Sequence, residues 1–408
     1  MIEQVQINKW RQFDSLSINF DRRLTILTGT NGSGKTTILN ILSNAFGDSI
    51  NFISNVRKAD DGTIDYFPSV LDEITDRRDT NYRSSKIGSV TYDSKTVSIL
   101  VPEPVSTTYH IQFKDFTPCR GLYINSHRSL FHYKKVNTIP THVLEKEEIY
   151  KAFHKYKSLS LSDDYYNPTE QAATKHIKEA LIALATLGPG NQYVAPNDTA
   201  LRAFEGFQII LQKVLPPNIG FKKLNIEIPE VMLETESGNF PIDAVSGGIA
   251  SIIELAWMIF MYSSSEEPFT VLFDEPENHL HPELQQTLLP NLLDAFPHVQ
   301  FIVATHNPFI ISSVESSAVY VLSYNNGKVF ASLLEDATKA ASSNEILRDI
   351  LGIRSTYPLW ASDKVNALIE ELITNDITES NLLAFREKMQ ALGFSEAIPT
   401  ALKQIFSR

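Results

Sequence analysis

The sequence predicts an α/β protein. Its parts are a mostly parallel core sheet, an N-terminal region of antiparallel strands, a helical insertion and a C-terminal helical tail. Three observations predict this. Between Thr270 and Leu322, short apolar runs alternate with helix-length segments across short connections, the rhythm of a parallel sheet covered by helices. A glycine-rich turn, Gly29 to Gly34, follows the apolar run from Leu24 to Leu27 and opens a helix. Near the N-terminus Leu16, Ile18 and Phe20 alternate strictly with polar residues, the period of a half-buried strand.

Taken in order, Ile2, Val5 and Ile7 begin the strands, and Thr36 to Phe46 is a helix with Ile38, Leu39, Ile41 and Leu42 on one face and Gly47 as its stop. Residues 48–120 read as antiparallel strands with long loops, including Val97 to Val101 and Tyr109 to Phe113. Gly121 to Ile124 is a buried strand. Thr141 to Leu215 is helical, broken at Asn167-Pro168 and Gly188-Pro189-Gly190, so two or three helices fit. Heptads are not sustained, which excludes a long coiled-coil arm. Strand character returns at Asn225 to Leu233. There follow a helix (Ser246 to Tyr262), strand (Thr270 to Phe273), helix (Pro282 to Ala295), strand (Val299 to Ala304), helix (Pro308 to Ser313) and strand (Val319 to Leu322). Three small helices close the chain: Val365 to Ile373, Asn381 to Leu392 and Ile398 to Phe406. The resulting segments are 1–120, 121–223, 224–327 and a helical 328–408. Two apolar stripes in the last, Leu368, Ile369, Leu372 and Ile373 and then Leu382, Leu383, Phe385, Met389 and Leu392, either pack within the protein or dock a partner.

Composition narrows the function. The 408 residues are 43% hydrophobic and 21% charged, enough to bury a full core without staples. The single cysteine, Cys119, excludes an internal disulfide and a cysteine-built zinc site. With a polar, charged N-terminal stretch unlike a secretion signal, it leads to the expectation of a cytoplasmic protein. The apolar run Ile252 to Tyr262 is too short to span a bilayer and contains Glu254, so no membrane partner is expected. The net charge of −12 is localised: Leu224 to Gly327 holds fourteen Asp or Glu and no Lys or Arg. A segregated acidic block does not repel nucleic acid from the rest of the chain, so DNA remains a possible partner. Arg77, Arg78, Arg83, Lys86, Lys134 and Lys135 are either its contacts or solvated loop charges.

Four motifs carry chemistry. Gly29-Thr30-Asn31-Gly32-Ser33-Gly34-Lys35-Thr36 is a full G-x-x-x-x-G-K-[ST] loop of a P-loop NTPase. Asn31, Gly32, Ser33, Gly34, Lys35, Thr36 and Thr37 would surround the phosphates of ATP at a helix N-terminus, with Lys35 on the β- and γ-phosphates and the Thr36 hydroxyl on Mg²⁺. Val271 to Phe273 is a buried strand ending in Asp274-Glu275, placing Asp274 to hold Mg²⁺ and Glu275 to orient and deprotonate water. His306, at the end of the next strand, can touch the γ-phosphate and the water. Ser246-Gly247-Gly248 opens a helix and exposes backbone N–H groups about twenty residues before the acidic strand.

In chain order the four motifs, Gly29 to Thr36, Ser246 to Gly248, Val271 to Glu275 and His306, resemble the Walker A, signature, Walker B and His-switch elements of the ATP-binding-cassette ATPase head. The resemblance implies a head-to-tail homodimer or higher oligomer, with the signature of one subunit closing over the ATP of the other. Val245 and Ile249-Ala250 depart from the common Leu-Ser-Gly-Gly-Gln/Glu signature, which turns the reading away from transport cassettes. Asp274-Glu275-Pro276-Glu277-Asn278-His279-Leu280-His281-Pro282, with Thr305-His306-Asn307-Pro308, resembles the OLD-type ATPases and their RecF/SMC-like relatives. That resemblance makes the segment around His279 and His281 a loop crossing the dimer interface rather than a metal pair. Asn8 to Phe13 is similar to the opening of those heads, and makes Arg11 a candidate nucleotide contact. Arg128, where such heads often carry an arginine, is a candidate contact to nucleotide or partner subunit. The stretch after His306 lacks the Asp-x-Asp of the Toprim nuclease domain. The resemblance is therefore to a stand-alone ATPase of anti-phage defence, of the Septu or PARIS type, which controls a separate nuclease or toxin and has no nuclease of its own. The alternative is a RecF/SMC-like DNA-maintenance ATPase.

Overall fold

The computed structural model describes residues 1–58, 62–68, 83–103, 105–127, 131–140, 145–160, 173–263, 267–335, 342–353, 359–374, 377–395 and 398–406. They divide into two compact units, Met1–Ala341 and Ser342–Arg408.

The first unit is built on an eleven-stranded sheet. One half is parallel: Gly121–Ile124, Phe269–Asp274, Val299–Ala304, Leu24–Gly29 and Ala318–Asn325 lie side by side in that order. Every residue of Leu24–Gly29, Phe269–Asp274 and Val299–Ala304 is buried, as their unbroken apolar runs require of a sheet covered on both faces. The other half is antiparallel and joins Phe13–Asn19, Ile2–Trp10, Arg83–Tyr92, Lys95–Glu103 and Gln112–Lys114. Its first two strands bury one face only. Val5, Ile7, Trp10, Phe13, Leu16 and Ile18 point into the core.

The hinge between the halves corrects one expectation. The sequence pattern predicts a helical segment from 328 onward, yet Lys328–Leu333 is a strand, antiparallel to Ala318–Asn325 and touching Phe13–Asn19 through Val329. The cause is local. Asn326 and Gly327 both adopt positive φ, 49° and 75°, the geometry of a tight hairpin that turns the chain straight back.

The helical insertion comprises Lys146–Ser160, Ala173–Leu187 and Asp198–Val214. Asn197 caps the third, accepting a hydrogen bond from the Ala200 N–H at 2.9 Å. Phe207 of that helix meets Trp257 edge-on, with ring centroids 4.9 Å apart, which fixes the insertion on the helix Gly247–Tyr262. A three-stranded meander, Phe221–Glu227, Glu230–Thr235 and Gly238–Pro241, separates the two. Lys178 is buried between the insertion and this meander. Its Nζ donates to Asp243 Oδ2 at 2.5 Å, Glu230 Oε2 at 2.6 Å and the Lys134 carbonyl at 2.9 Å.

The second unit has helices Leu359–Thr374, Glu379–Ala391 and Ile398–Phe406 around a core of its own. Both apolar stripes are largely spent there. Ile369, Leu372, Phe385 and Met389 are buried against one another and against Ile398 and Ile405, leaving Ile373, Leu383 and Leu392 exposed. Among the described residues of the whole chain, no helix is long and apolar enough to cross a membrane.

Candidate functional site

The site forms where the parallel strands end. Leu24–Gly29 delivers the glycine-rich loop and Phe269–Asp274 delivers two carboxylates. Val299–Ala304, between them, delivers Thr305, His306 and Asn307. Open parallel sheets bind ligands at this edge because helix N-termini and strand ends converge there.

The loop can exist only with glycine at two points. At Gly29, φ 139°, a Cβ would lie 2.3 Å from the Leu322 carbonyl oxygen. At Gly34, φ 94°, it would strike Phe13 Cζ at 2.5 Å and Gln12 Nε2 at 2.7 Å. Asn31, Gly32 and Ser33 span the turn between these points. Gly34 precedes the helix Lys35–Ser43, whose first turn carries no acidic residue. Its N–H groups and positive dipole end, with Thr36 and Thr37 in the first turn, therefore stay available to an anion. The Ser33 hydroxyl is buried in the loop and has no hydrogen-bond partner among the described residues. A buried orphan in a ring of N–H donors is what a phosphate cradle requires.

Lys35 Nζ folds back onto the loop, donating to the Gly29 carbonyl at 2.8 Å and the Thr30 carbonyl at 3.2 Å. Burial lowers its pKa more than the charges of Glu275, Asp274 and Glu277 raise it. Thr36 Oγ1 donates to Asp274 Oδ2 at 3.0 Å, so a hydroxyl and a carboxylate stand together as hard oxygen donors, a pair that fits Mg²⁺. Among the described residues no cluster of three or more His, Cys, Asp or Glu offers an all-protein metal cage.

Glu275 adopts a left-handed φ of 45°, a strained conformation for a residue with a side chain. Its N–H donates to the Ala304 carbonyl at 2.8 Å, which pins the bend to the neighbouring strand end. Its carboxylate then meets His306, with Nδ1 3.2 Å from Oε1, and Asn278 Nδ2 at 3.4 Å. Asn278 also donates to the Ser126 carbonyl at 3.1 Å, tying the turn to the segment after Gly121–Ile124. Glu275 and His306 remain partly open, while Glu277 is 6% exposed.

The structure brings Lys35, Thr36, Asp274, Glu275 and His306 together. It arranges the other candidates differently. Arg11, also at positive φ, lies over the rings of Trp10, Phe52 and Tyr109 at 4.9, 5.4 and 6.0 Å, and donates to the Ile53 carbonyl at 2.7 Å. Its neighbours Gln12 and Phe13 are the residues that press on Gly34. Ser246 occupies the N-cap position of Gly247–Tyr262, and its hydroxyl accepts no capping hydrogen bond from the first N–H groups of that helix. Gly248 lies against the His279 carbonyl of the same chain, 3.1 Å from an ideal Cβ. Arg128 lies outside the described residues, as do Arg77 and Arg78. Tyr324, which no motif pointed to, donates its hydroxyl to the Gly32 carbonyl at 2.7 Å and braces the loop.

Comparison with known proteins agrees with this architecture. A family model described as "AAA domain, putative AbiEii toxin, Type IV TA system" matches residues 152–312, and one described as "AAA domain" matches residues 4–174. The chain is 22% identical to the retron Ec83 probable ATPase of Escherichia coli, an alignment covering 91% of this chain and 79% of that protein. It is 20% identical to the Septu protein PtuA of Bacillus thuringiensis, over 87% of this chain and 85% of that protein. Among solved structures, the SMC head domain from Thermotoga maritima covers 82% of this chain and 99% of its own at 14% identity and a TM-score of 0.42, a likeness that adds nothing to the strand order. The resemblance drawn from the motifs thus finds relatives of the expected kind: the chain carries the parts of a P-loop ATPase, matches two AAA-domain models, and is similar to the retron Ec83 probable ATPase and to the Septu protein PtuA.

Proposed function

We propose that this ATPase is a nucleotide-driven switch of anti-phage defence that binds ATP at Gly29–Thr37 and controls a separate nuclease or toxin subunit. One observation carries the catalytic part. The Thr36–Asp274 pair and the Glu275–His306 pair stand at adjacent strand ends beside the loop that holds Lys35. Thr36 and Asp274 would hold Mg²⁺, which when bound neutralises charge on the phosphates. Lys35 exchanges its two carbonyl partners for phosphate oxygens. Glu275 orients a water and takes its proton as the water oxygen bonds to the γ-phosphorus and the bond to the β–γ bridging oxygen breaks, giving ADP and phosphate. His306 holds the Glu275 carboxylate in place and faces the same water.

In this reading the subunits pair head to tail as a homodimer or higher oligomer. The N–H groups after Ser246, with Gly247 and Gly248, close over the nucleotide of the partner subunit. Support for the defence role comes from the likeness to the Septu and retron proteins. No nuclease activity is expected of the chain itself.

The test is Glu275→Gln. This variant should bind ATP with wild-type affinity, hydrolyse it about 10²–10⁴-fold more slowly and accumulate as a dimer visible by size-exclusion chromatography. Wild-type turnover would sink the catalytic assignment. Plasmid, linear DNA and RNA should stay intact in the presence of the purified protein and Mg²⁺ or Mn²⁺. Co-expression with the product of an adjacent nuclease gene, followed by affinity purification, tests the partner. A nuclease that never co-purifies, with or without ATP, would remove that part of the reading.

A further inference from the structure

His306 is a single exposed side chain, yet both of its neighbours in the chain are locked into one closed ring of hydrogen bonds. The Thr305 hydroxyl donates to Glu277 Oε1 at 2.5 Å and accepts from the Asn307 N–H at 2.9 Å. Asn307 Nδ2 donates to Gln285 Oε1 at 2.8 Å, and Gln285 Nε2 donates to the Leu280 carbonyl at 2.8 Å. The Leu280 N–H donates to the Glu277 carbonyl at 2.9 Å, and the ring is complete. It joins the turn that follows Glu275 to the turn that carries His306, and it passes through the helix Pro282–Ala295.

The ring is expensive to keep. Thr305 is fully buried and Glu277 nearly so, and the second carboxyl oxygen of Glu277 has no partner among the described residues. An apolar pair of the same shape would fill that space at lower cost, because a half-satisfied buried carboxyl loses its water without full repayment. Burial pushes the Glu277 carboxyl above its ordinary range, against the hydrogen bond from Thr305. A costly polar element beside reacting groups needs a reason beyond stability. Geometry supplies one: with residues 305 and 307 both fixed, the backbone of His306 is held where its imidazole reaches Glu275 at 3.2 Å.

We propose that Glu277, Thr305, Asn307 and Gln285 are positioning residues for hydrolysis, which act by holding His306 against Glu275. The proposal rests on the reading of Glu275 and His306 as the groups that handle the attacking water. It goes beyond that reading in assigning a role to four side chains that touch neither nucleotide nor water.

The test compares Thr305→Val, Thr305→Ser and Gln285→Ala in the full chain, each alone and in a His306→Ala background, with kcat and KM for ATP measured separately. Gln285 is partly exposed on a helix, so its alanine variant should fold even if Thr305→Val does not. Thr305→Val and Gln285→Ala should each lower kcat about 10-fold with KM within about twofold, as expected when a catalytic group is misplaced and binding is not. Thr305→Ser, which keeps the hydroxyl, should restore kcat. In the His306→Ala background neither loss should appear, since the group being positioned is gone. An unchanged kcat in Gln285→Ala would overturn the proposal, as would a rise in KM alone. So would a loss that persists undiminished in His306→Ala. Full activity of His306→Ala itself would instead overturn the reading on which the proposal stands, and the proposal with it.

Discussion

Lys35 and Lys178 are both buried, 8% and 0% exposed, and their surroundings are opposite in kind. Lys178 has two carboxylates and a carbonyl on its ammonium group. Burial works to lower its pKa, but the hydrogen bonds and charges of Asp243 and Glu230 together outweigh it and raise the pKa. Lys35 has two neutral carbonyls, and burial wins over the more distant carboxylates. A cation paired in full is structural: it ties the helical insertion to the meander and to Asp243, three residues before Ser246. A cation desolvated and left short of counter-charge is held ready for an anion. In the proposed function the molecule separates the lysine that builds it, Lys178, from the lysine that meets the phosphates, Lys35.

The contrast breaks if the two respond alike to substitution. Lys178→Met leaves the buried Asp243 and the half-buried Glu230 without their partner and should cost about 3–5 kcal/mol of folding stability in urea titrations. Lys35→Met should change stability by no more than about 1 kcal/mol while abolishing ATP binding. Equal destabilisation by the two would show that Lys35 is structural too.

Ligand linkage sharpens the same point with a smaller effect. ATP with Mg²⁺ at 100 times its Kd should stabilise the wild type and, where it still folds, Lys178→Met by about 2.7 kcal/mol, and Lys35→Met not at all. A thermal shift of Lys35→Met by ATP would contradict the division.

The smallest effect concerns a third lysine, intermediate between the two. Lys146 Nζ rests 3.7 Å from the Phe260 ring centroid and donates to the Ser263 carbonyl at 2.6 Å, and burial pushes its pKa down to about 8. Between pH 8 and its ordinary value of 10.5 the unfolded chain binds more protons at this residue than the folded one, so its contribution to stability rises with pH. Cys119, which burial pushes up to about 11, acts with the opposite sign above its ordinary value of 9. The clean window is therefore pH 8 to 9. Stability should climb there by up to about 1 kcal/mol in the wild type, and the Lys146→Met variant should lack that climb. Parallel slopes in the two proteins would remove Lys146 as the cause.

How much of this the sequence disclosed depended on how local the signal was. The buried strands of the parallel half are unbroken apolar runs, and the loop, the carboxylate pair and His306 each stand at the end of one. Local pattern therefore located them. Gln12 was hidden beside Arg11, a charged neighbour that drew attention and that the fold spends on an aromatic cluster. Lys178 looked like any helix-surface lysine, because its partners Lys134, Glu230 and Asp243 stand 44, 52 and 65 residues away in the chain. The ring around His306 was invisible for the same reason: Glu277, Gln285, Thr305 and Asn307 become neighbours only once two strands align. The strand Lys328–Leu333 is different. Its Asn-Gly turn was a legible signal that the reading passed over.

The place of Leu24–Gly29 in the sheet has a consequence for biosynthesis. Both strands that flank it, Val299–Ala304 and Ala318–Asn325, come from late in the chain, whereas Ile2–Trp10 finds Phe13–Asn19 at once through a short turn. While the ribosome is still working through the insertion, the early hairpin can form, but the apolar strand beside it has two open edges and waits. Closing the phosphate loop is thus among the last events of maturation, since Gly29 takes its place only against the backbone of Leu322. A nascent or truncated chain that lacks those late strands cannot complete the cradle. Competence to bind ATP would then report that translation and folding have passed Ala318–Asn325.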